Sequence, residues 1–217
     1  MTPAIVERTV AGRGVGAVLT ERERARLGAL PHECRRADWL GGRIAAKRAV
    51  RAVCRQAGAR VPPYRAIDVG NDADGAPDFR VAGRDDLTER FNLSIAHTEG
   101  AAIAALAETA TSGTVGVDIE SAKPLPLALL ARVLTPTEMA RLGAASGHPS
   151  PLDIWTAKEA ALKAAHRFCG ALRDVELSWD ESRAIRARVV SEFVPAHRIV
   201  VRHECIGRFT VALALCR

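Results

Sequence analysis

Aromatic residues are scarce in this chain of 217 residues: phenylalanine, tryptophan and tyrosine together make up 4%, with a single tyrosine. Few platforms remain on which bases could stack, which argues against a protein that works by binding single-stranded nucleic acid. Paired cysteines are also missing. The five cysteines, at positions 34, 54, 169, 205 and 216, form no Cys-x-x-Cys pair. An odd, scattered set argues against a disulfide framework or a zinc site, and the expectation is reduced thiols in the cytoplasm. No apolar run approaches the roughly 20 residues that a membrane span needs. Met1 to Thr20 lacks a compact apolar block followed by a small-residue cleavage site, so no signal peptide is expected. Familiar site motifs fail as well. Gly12-Arg-Gly-Val-Gly16 has neither the dinucleotide-binding spacing nor the Gly-Lys-Ser/Thr of a phosphate-binding loop. Setting Gly75 as the glycine of a calcium loop puts Val81 where the bidentate glutamate belongs. There is no Gly-x-Ser-x-Gly nucleophile elbow.

What the chain does have is ordinary for a folded domain: 48% hydrophobic and 26% charged residues. Its length allows one larger domain or two small halves. The net charge is +6, much of it arginine on helix-like stretches such as Arg43 to Arg55. Such a surface suits an anionic partner, whether nucleic acid, a phosphorylated cofactor or an acidic protein. An arginine-rich composition bias would produce the same excess, so charge alone does not choose.

The chain resembles itself. Leu19-Thr-Glu-Arg-Glu-Arg-Ala-Arg-Leu27 is similar to Leu134-Thr-Pro-Thr-Glu-Met-Ala-Arg-Leu142, an offset of 115 residues. At that offset Gly42-Arg-Ile-Ala-Ala-Lys-Arg-Ala49 faces Ala157-Lys-Glu-Ala-Ala-Leu-Lys-Ala164. Shared offset across two blocks suggests a duplicated unit. Thr20 with Glu23, and Thr135 with Glu138, fit the capping box that opens a helix, and Pro136 sits at the first helical position. Longer helices are expected at 36–57 and 151–168, and strands at 14–19, 91–97, 101–107, 114–120, 186–194, 198–203 and 208–215. Asn71 to Pro77 reads as a turn-rich break. The expected fold is α+β, as two halves, 1–110 and 111–217, meeting at the polar stretch 108–113.

Four segments carry chemistry. In Val115-Gly-Val-Asp-Ile-Glu120 the alternation of a strand points Asp118 and Glu120 to one face. They are either a strand end emerging into water or a carboxylate pair for a hard divalent cation such as Mg²⁺. In Trp155-Thr-Ala-Lys-Glu-Ala-Ala-Leu-Lys163, Glu159 and Lys163 share a helical face. Alone they read as a surface ion pair; beside the acidic strand, Glu159 could complete the metal ligands and Lys163 could neutralise a phosphate. His97 ends the apparent strand Phe91–His97, placed either structurally or to reach a phosphate or hydroxyl. Cys34-Arg-Arg-Ala-Asp-Trp-Leu-Gly-Gly-Arg43-Ile-Ala-Ala-Lys47 puts Arg43 and Lys47 on one helical face, with Arg36 about two turns earlier: a solvated basic helix, or a phosphate-binding one.

Taken together these segments resemble the Sfp-type 4′-phosphopantetheinyl transferases, holo-[acyl-carrier-protein] synthases that activate fatty-acid, polyketide and peptide-synthetase carrier proteins. That family's (V/I)-G-(V/I)-D is matched by Val115-Gly-Val-Asp118, and its (F/W)-(S/C/T)-x-K-E-(A/S)-x-x-K by Trp155 to Lys163. Its G-R-x-A-A helix resembles Gly42-Arg43-Ile-Ala-Ala, its G-K-P turn Gly75-Ala-Pro77, and its S-x-S-H segment Ser94-Ile-Ala-His-Thr98. The resemblance implies a pseudo-dimer of two similar α+β halves, with the coenzyme A adenosine and phosphate side in 1–110 and the metal and catalytic helix in 111–217. It implies transfer of the phosphopantetheine arm of coenzyme A to a carrier-protein serine, releasing 3′,5′-ADP.

By position, the resemblance implies that Asp118, Glu120 and Glu159 hold Mg²⁺, which Mn²⁺ could replace, against the pyrophosphate. Glu159 would accept the serine proton, and Lys163 would stabilise charge on the departing 3′,5′-ADP, with Lys158 a weaker phosphate contact. His97 would touch a coenzyme A phosphate and take part in catalysis. Arg43, with Arg35 or Arg36, would take the 3′-phosphate; Thr98 would assist near the adenosine and Gly75 would shape the turn. The implied partners are coenzyme A and an acyl or peptidyl carrier protein, with no nucleic acid or membrane; the protein would be a cytoplasmic monomer. Three departures stand out: Ala76 replaces a basic residue, so that contact is absent or moved to Arg80; Ala96 replaces a serine; and His166 to Gly170 lacks the usual glycine pair, which puts the carrier-docking loop in doubt. A different Mg²⁺-dependent phosphoryl-transfer or nucleotide-hydrolysing enzyme, or a non-catalytic basic nucleic-acid-binding protein, remains the alternative.

Overall fold

Each of the two threonine-led capping boxes opens a helix, and each helix leads to a longer one that packs on a sheet. The computed structural model describes residues 4–7, 15–144, 149–165, 170–180, 185–190 and 198–216. The chain divides into two compact units, Met1–Thr111 and Ser112–Arg217. Among the described residues no helix is long and apolar enough to cross a membrane.

Unit 1 runs β1 (Ala4–Glu7), α1 (Val15–Val18), α2 (Glu21–Gly28), α3 (Glu33–Gln56), β2 (Ile67–Asn71), β3 (Pro77–Val81), α4 (Asp85–Arg90), β4 (Phe91–Thr98) and β5 (Ala101–Glu108). A single helical turn, α5 (Thr109–Ser112), follows. The strands form a sheet of order β1-β5-β4 and a hairpin β2-β3, all antiparallel. Helix α3 buries Leu40, Ala45, Ala46, Ala49 and Val50 with Ile67, Phe79, Ala104 and Leu106. Two mid-helix glycines, which cost about 1 kcal/mol each against alanine, are explained by close approach. A Cβ on Gly42 would stand 3.0 Å from Ile95 Cγ2, and one on Gly41 3.2 Å from Ala102 Cβ.

Unit 2 runs β6 (Thr114–Ser121), α6 (Leu127–Ala131), α7 (Pro136–Ala144), α8 (Pro151–Ala164), β7 (Val175–Trp179), β8 (Ile185–Val189), β9 (Arg198–Ile206) and β10 (Phe209–Cys216). Its five strands form one antiparallel sheet of order β6-β10-β9-β8-β7. Ser150 caps α8 in a box with Asp153, and Pro151 opens the helix. The alanines of α8, Ala157, Ala160, Ala161 and Ala164, pack in a core with Leu177, Ile199, Ala212 and Ala214.

The order of elements is alike in the two units: a strand, three helices, then two hairpins, with α4 between the hairpins of unit 1. In each, the first strand pairs with the last, but the two hairpins join into one sheet only in unit 2. Each unit also holds the same buried clasp. In unit 1, Glu23 accepts from Thr20 N at 2.8 Å and from Val69 N at 3.0 Å, and pairs with Lys47 Nζ at 2.5 Å. In unit 2, Glu138 accepts from Thr135 N at 2.6 Å and Leu177 N at 2.7 Å, and pairs with Lys158 Nζ at 2.7 Å. The lysines are fully buried in both. Glutamate and lysine are 24 residues apart in unit 1 and 20 in unit 2. The difference is about one helical turn, so the constant offset of 115 residues holds for the capping boxes and slips by four residues in the second block.

Several elements differ from expectation. Residues 14–19 were expected as a strand, but Val15–Val18 is a helical turn. The run Val-Gly-Ala-Val-Leu is too short for periodicity to separate the two states. Strands β1, β2, β3 and β7 and helices α4 and α6 were not expected. The strand expected over 186–194 is seen as Ile185–Val189 and the helix expected over 151–168 as Pro151–Ala164; 191–194 and 166–168 lie outside the described residues. The stretch 108–113, expected as irregular, contains α5. The departure noted at His166–Cys169 lies outside the described residues.

Candidate active site

In unit 2 a strand faces a helix at unusually close range. A Cβ on Gly116 would lie 1.9 Å from Ala160 O and 2.5 Å from Ala164 N, so only glycine lets β6 approach the backbone of α8. Thr114 Oγ1 donates to Ala164 O at 2.5 Å and ties the same two elements. Two residues along from Gly116, Asp118 points to the same face and meets α8. Lys163 Nζ donates to Asp118 Oδ1 at 2.6 Å and to Val117 O at 3.2 Å. Asp118 is buried, and Val117 and Ile119 are buried on the other face of the strand.

Glu159 is half-buried one turn before Lys163. Burial pushes its carboxyl above the usual range; Lys163 opposes the shift and Asp118 adds to it. Asp118, Glu159 and Lys163 therefore act on one another. Glu120 lies one pleat further along β6, half-buried, paired in register with Thr210. Among the described residues, no three carboxylate, histidine or cysteine side chains stand close enough to form a ready metal cage. The donor set nevertheless fits Mg²⁺, which takes one or two carboxylates and fills the rest of its shell with phosphate and water. The Lys163 ammonium already stands as a cation on Asp118.

Lys158, expected as a weaker cofactor contact, does something else. It has no exposure, and its ammonium donates to both oxygens of Glu138 and to Val175 O. A phosphate cannot reach it there. Lys47, read with Arg43 as one basic face, is likewise buried on Glu23.

Unit 1 gathers cations beside a groove of about 700 Å³ lined by Arg22, Arg26, Trp39, Arg43, Asp68 and Asn71, among others. Arg43 stacks on the Trp39 ring, its Cζ 4.7 Å from the ring centre. Burial lowers its affinity for a proton, and Glu23 and Asp68 oppose that shift. Its Nε is buried and makes no hydrogen bond to any described residue. A buried donor in a cationic groove suits an anion that brings the missing acceptor. Arg35 and Arg36 lie on the exposed first turn of α3, and Arg36 Nε donates to Leu30 O at 2.7 Å. His97 and Thr98 end β4; His97 is half-exposed, with Nδ1 4.0 Å from Asp38 Oδ2. Gly75 has φ +87° in the β2–β3 turn, where Asp72 Oδ1 accepts from the N–H of Ala76 at 2.9 Å.

The structure thus brings Asp118, Glu159 and Lys163 together in unit 2, with Glu120 beside them, and places Arg43 in the unit 1 groove. Sequence reasoning missed Arg22, Arg26, Trp39, Asp38 and Glu138. Trp39 and Arg43 are four apart on one helix, a spacing that does signal a stack. Glu138 was seen only as a cap, because nothing local says that its carboxylate is buried.

A family model described as the 4′-phosphopantetheinyl transferase superfamily matches residues 114–214, nearly the whole of unit 2. No curated protein matches the chain. Among solved structures, the Helicobacter pylori holo-[acyl-carrier-protein] synthase in complex with coenzyme A is 20% identical, over 48% of this chain and 99% of that one, with a TM-score of 0.36. The Mycobacterium tuberculosis acyl carrier protein synthase is 26% identical over 48% and 96%, with a TM-score of 0.32. A coenzyme A complex from Chronobacterium ammoniagenes is 19% identical over 48% and 96%, with a TM-score of 0.36. What carries weight is the family match, which encloses Asp118, Glu120, Glu159 and Lys163 in one continuous stretch.

Proposed function

We propose that this protein transfers the 4′-phosphopantetheine arm of coenzyme A to a serine of an acyl or peptidyl carrier protein. The observation that carries the proposal is the meeting of Asp118, Glu159 and Lys163 across the Gly116 contact, inside the matched region. The Sfp-type resemblance, with two halves of like construction, is part of the same proposal, and the recurring element order and clasp support it.

In this reading Asp118 and Glu159, with Glu120, would hold Mg²⁺, which would supply neutralisation of charge on the coenzyme's pyrophosphate. The serine Oγ attacks the β-phosphorus in line. Its proton passes to Glu159, directly or through a water. The bond from phosphorus to the bridging oxygen breaks, and 3′,5′-ADP leaves with charge stabilised by Lys163. Unit 1 supplies Arg43, stacked on Trp39, for the 3′-phosphate, with Arg35 or Arg36 beside it. His97 and Thr98 serve the coenzyme's phosphate and adenosine, and Gly75 the shape of the turn.

The test is intact-mass spectrometry of an apo carrier protein incubated with coenzyme A, Mg²⁺ and this protein. The carrier gains one phosphopantetheine arm, and chelation of the metal stops the gain. No gain across acyl and peptidyl carriers, with nucleotide hydrolysed in their absence, would overturn the reading.

A further inference from the structure

The Glu138–Lys158 clasp has a consequence for the residue that follows it. Lys158 and Glu159 are neighbours on α8, about 100° apart around the helix. All three ammonium hydrogens of Lys158 are engaged: with Glu138 Oε1 at 2.7 Å, Glu138 Oε2 at 2.8 Å and Val175 O at 2.6 Å. A lysine held by three acceptors on two elements has no freedom to turn. Glu138 is fixed in its turn by the N–H groups of Thr135 and Leu177. Helix α8 is thereby tied to the start of α7 and to β7, while Gly116 and Thr114 tie it to β6. Roll of α8 about its axis is blocked from both sides.

A buried ion pair is a costly way to seat a helix, since apolar residues of similar volume often do so at no loss of stability. The copy in unit 1 shows that the clasp is part of the framework. There the residue after Lys47 is the exposed Arg48, whereas in unit 2 it is a half-buried carboxylate beside Asp118. We propose that the buried Glu138–Lys158 pair is a positioning device for Glu159, setting the rotation of α8 so that this carboxylate faces Asp118. The inference rests on the metal reading of the site.

The experiment compares the full chain with the double variant Glu138→Gln/Lys158→Met. The amide oxygen still accepts from Thr135 N and Leu177 N, and no charge is left buried, so melting temperature changes little. Mn²⁺ binding with coenzyme A present, followed by electron paramagnetic resonance, is expected to weaken by about 10- to 100-fold, as for the loss of groups that orient a metal ligand. A double variant that melts normally and binds Mn²⁺ with unchanged affinity overturns the inference. Should that variant fail to fold, Glu138→Gln alone is titrated in the same way, and unchanged Mn²⁺ binding again overturns it. Absence of Mn²⁺ binding by the unaltered protein is a different result: it removes the metal reading, and the positioning role with it.

Discussion

Glu159 is asked to be both a buried group and a charged one. Burial raises its pKa above that of an unfolded glutamate. Folding therefore favours the protonated form, and that stabilisation is complete below the ordinary glutamate pKa and is lost as pH rises through the raised value. At neutral pH the ionised side chain costs stability. Glu159→Gln should thus raise the melting temperature of the metal-free protein at pH 7–8, with the gain vanishing in acid, while transfer falls by about 10²–10⁴-fold, the scale of a lost general base. Thermal melts from pH 4 to 8 in chelator check the first part. Asp118→Ala should abolish transfer and leave the circular dichroism spectrum unchanged. Arg43 permits a sharper test. If it takes the 3′-phosphate, the unaltered protein should prefer coenzyme A over dephospho-coenzyme A through KM, and Arg43→Ala should erase most of that preference with kcat little changed.

Among elements, the contact of β6 with α8 is the one the site depends on most. Gly116→Ala places a methyl group inside the α8 backbone, so helix and strand must part. Overpacking of this kind costs about 1–3 kcal/mol, and the separation should also pull Lys163 from Asp118. Transfer is expected to fall further than stability does, measured by kcat/KM against chemical denaturation. This contact was half legible in the sequence. The alternation around Asp118 gave the face, and the spacing of Glu159 and Lys163 gave the helix; that the glycine marks backbone against backbone is a tertiary fact. Helices were readable where caps announced them, at Thr20 and Thr135. The β2–β3 hairpin was not, because Ile67-Asp-Val-Gly-Asn has only two inward apolar residues and ends in turn formers. Strand β7 hid for the same reason: Val175 and Leu177 point inward while Glu176 and Ser178 alternate with them. Lys47 and Lys158 were misread because a lysine at helical spacing looks solvated until its buried glutamate is known.

At the scale of the whole molecule, the net charge of +6 sets how partners are met. An acidic carrier protein would be steered to a basic surface, and steering is screened by salt while the chemical step is not. Raising ionic strength from 20 to 500 mM, an experimental range, should lower kcat/KM for the carrier by about tenfold or more and leave kcat nearly constant. Flat kcat/KM would mean that the arginine excess has no part in docking. The strand, three helices and two hairpins of each unit, with the clasp in both, support the proposal of two halves of like construction.

The proposed reaction moves one phosphopantetheine arm from coenzyme A to a carrier serine through Asp118, Glu159 and Lys163. The most direct measurement is the ratio of 3′,5′-ADP released to serines modified, by chromatography and peptide mass spectrometry on one reaction. The expected ratio is one, dependent on Mg²⁺, with neither product formed by Asp118→Ala. Release of 3′,5′-ADP without serine modification, or undiminished transfer by Asp118→Ala, would contradict it.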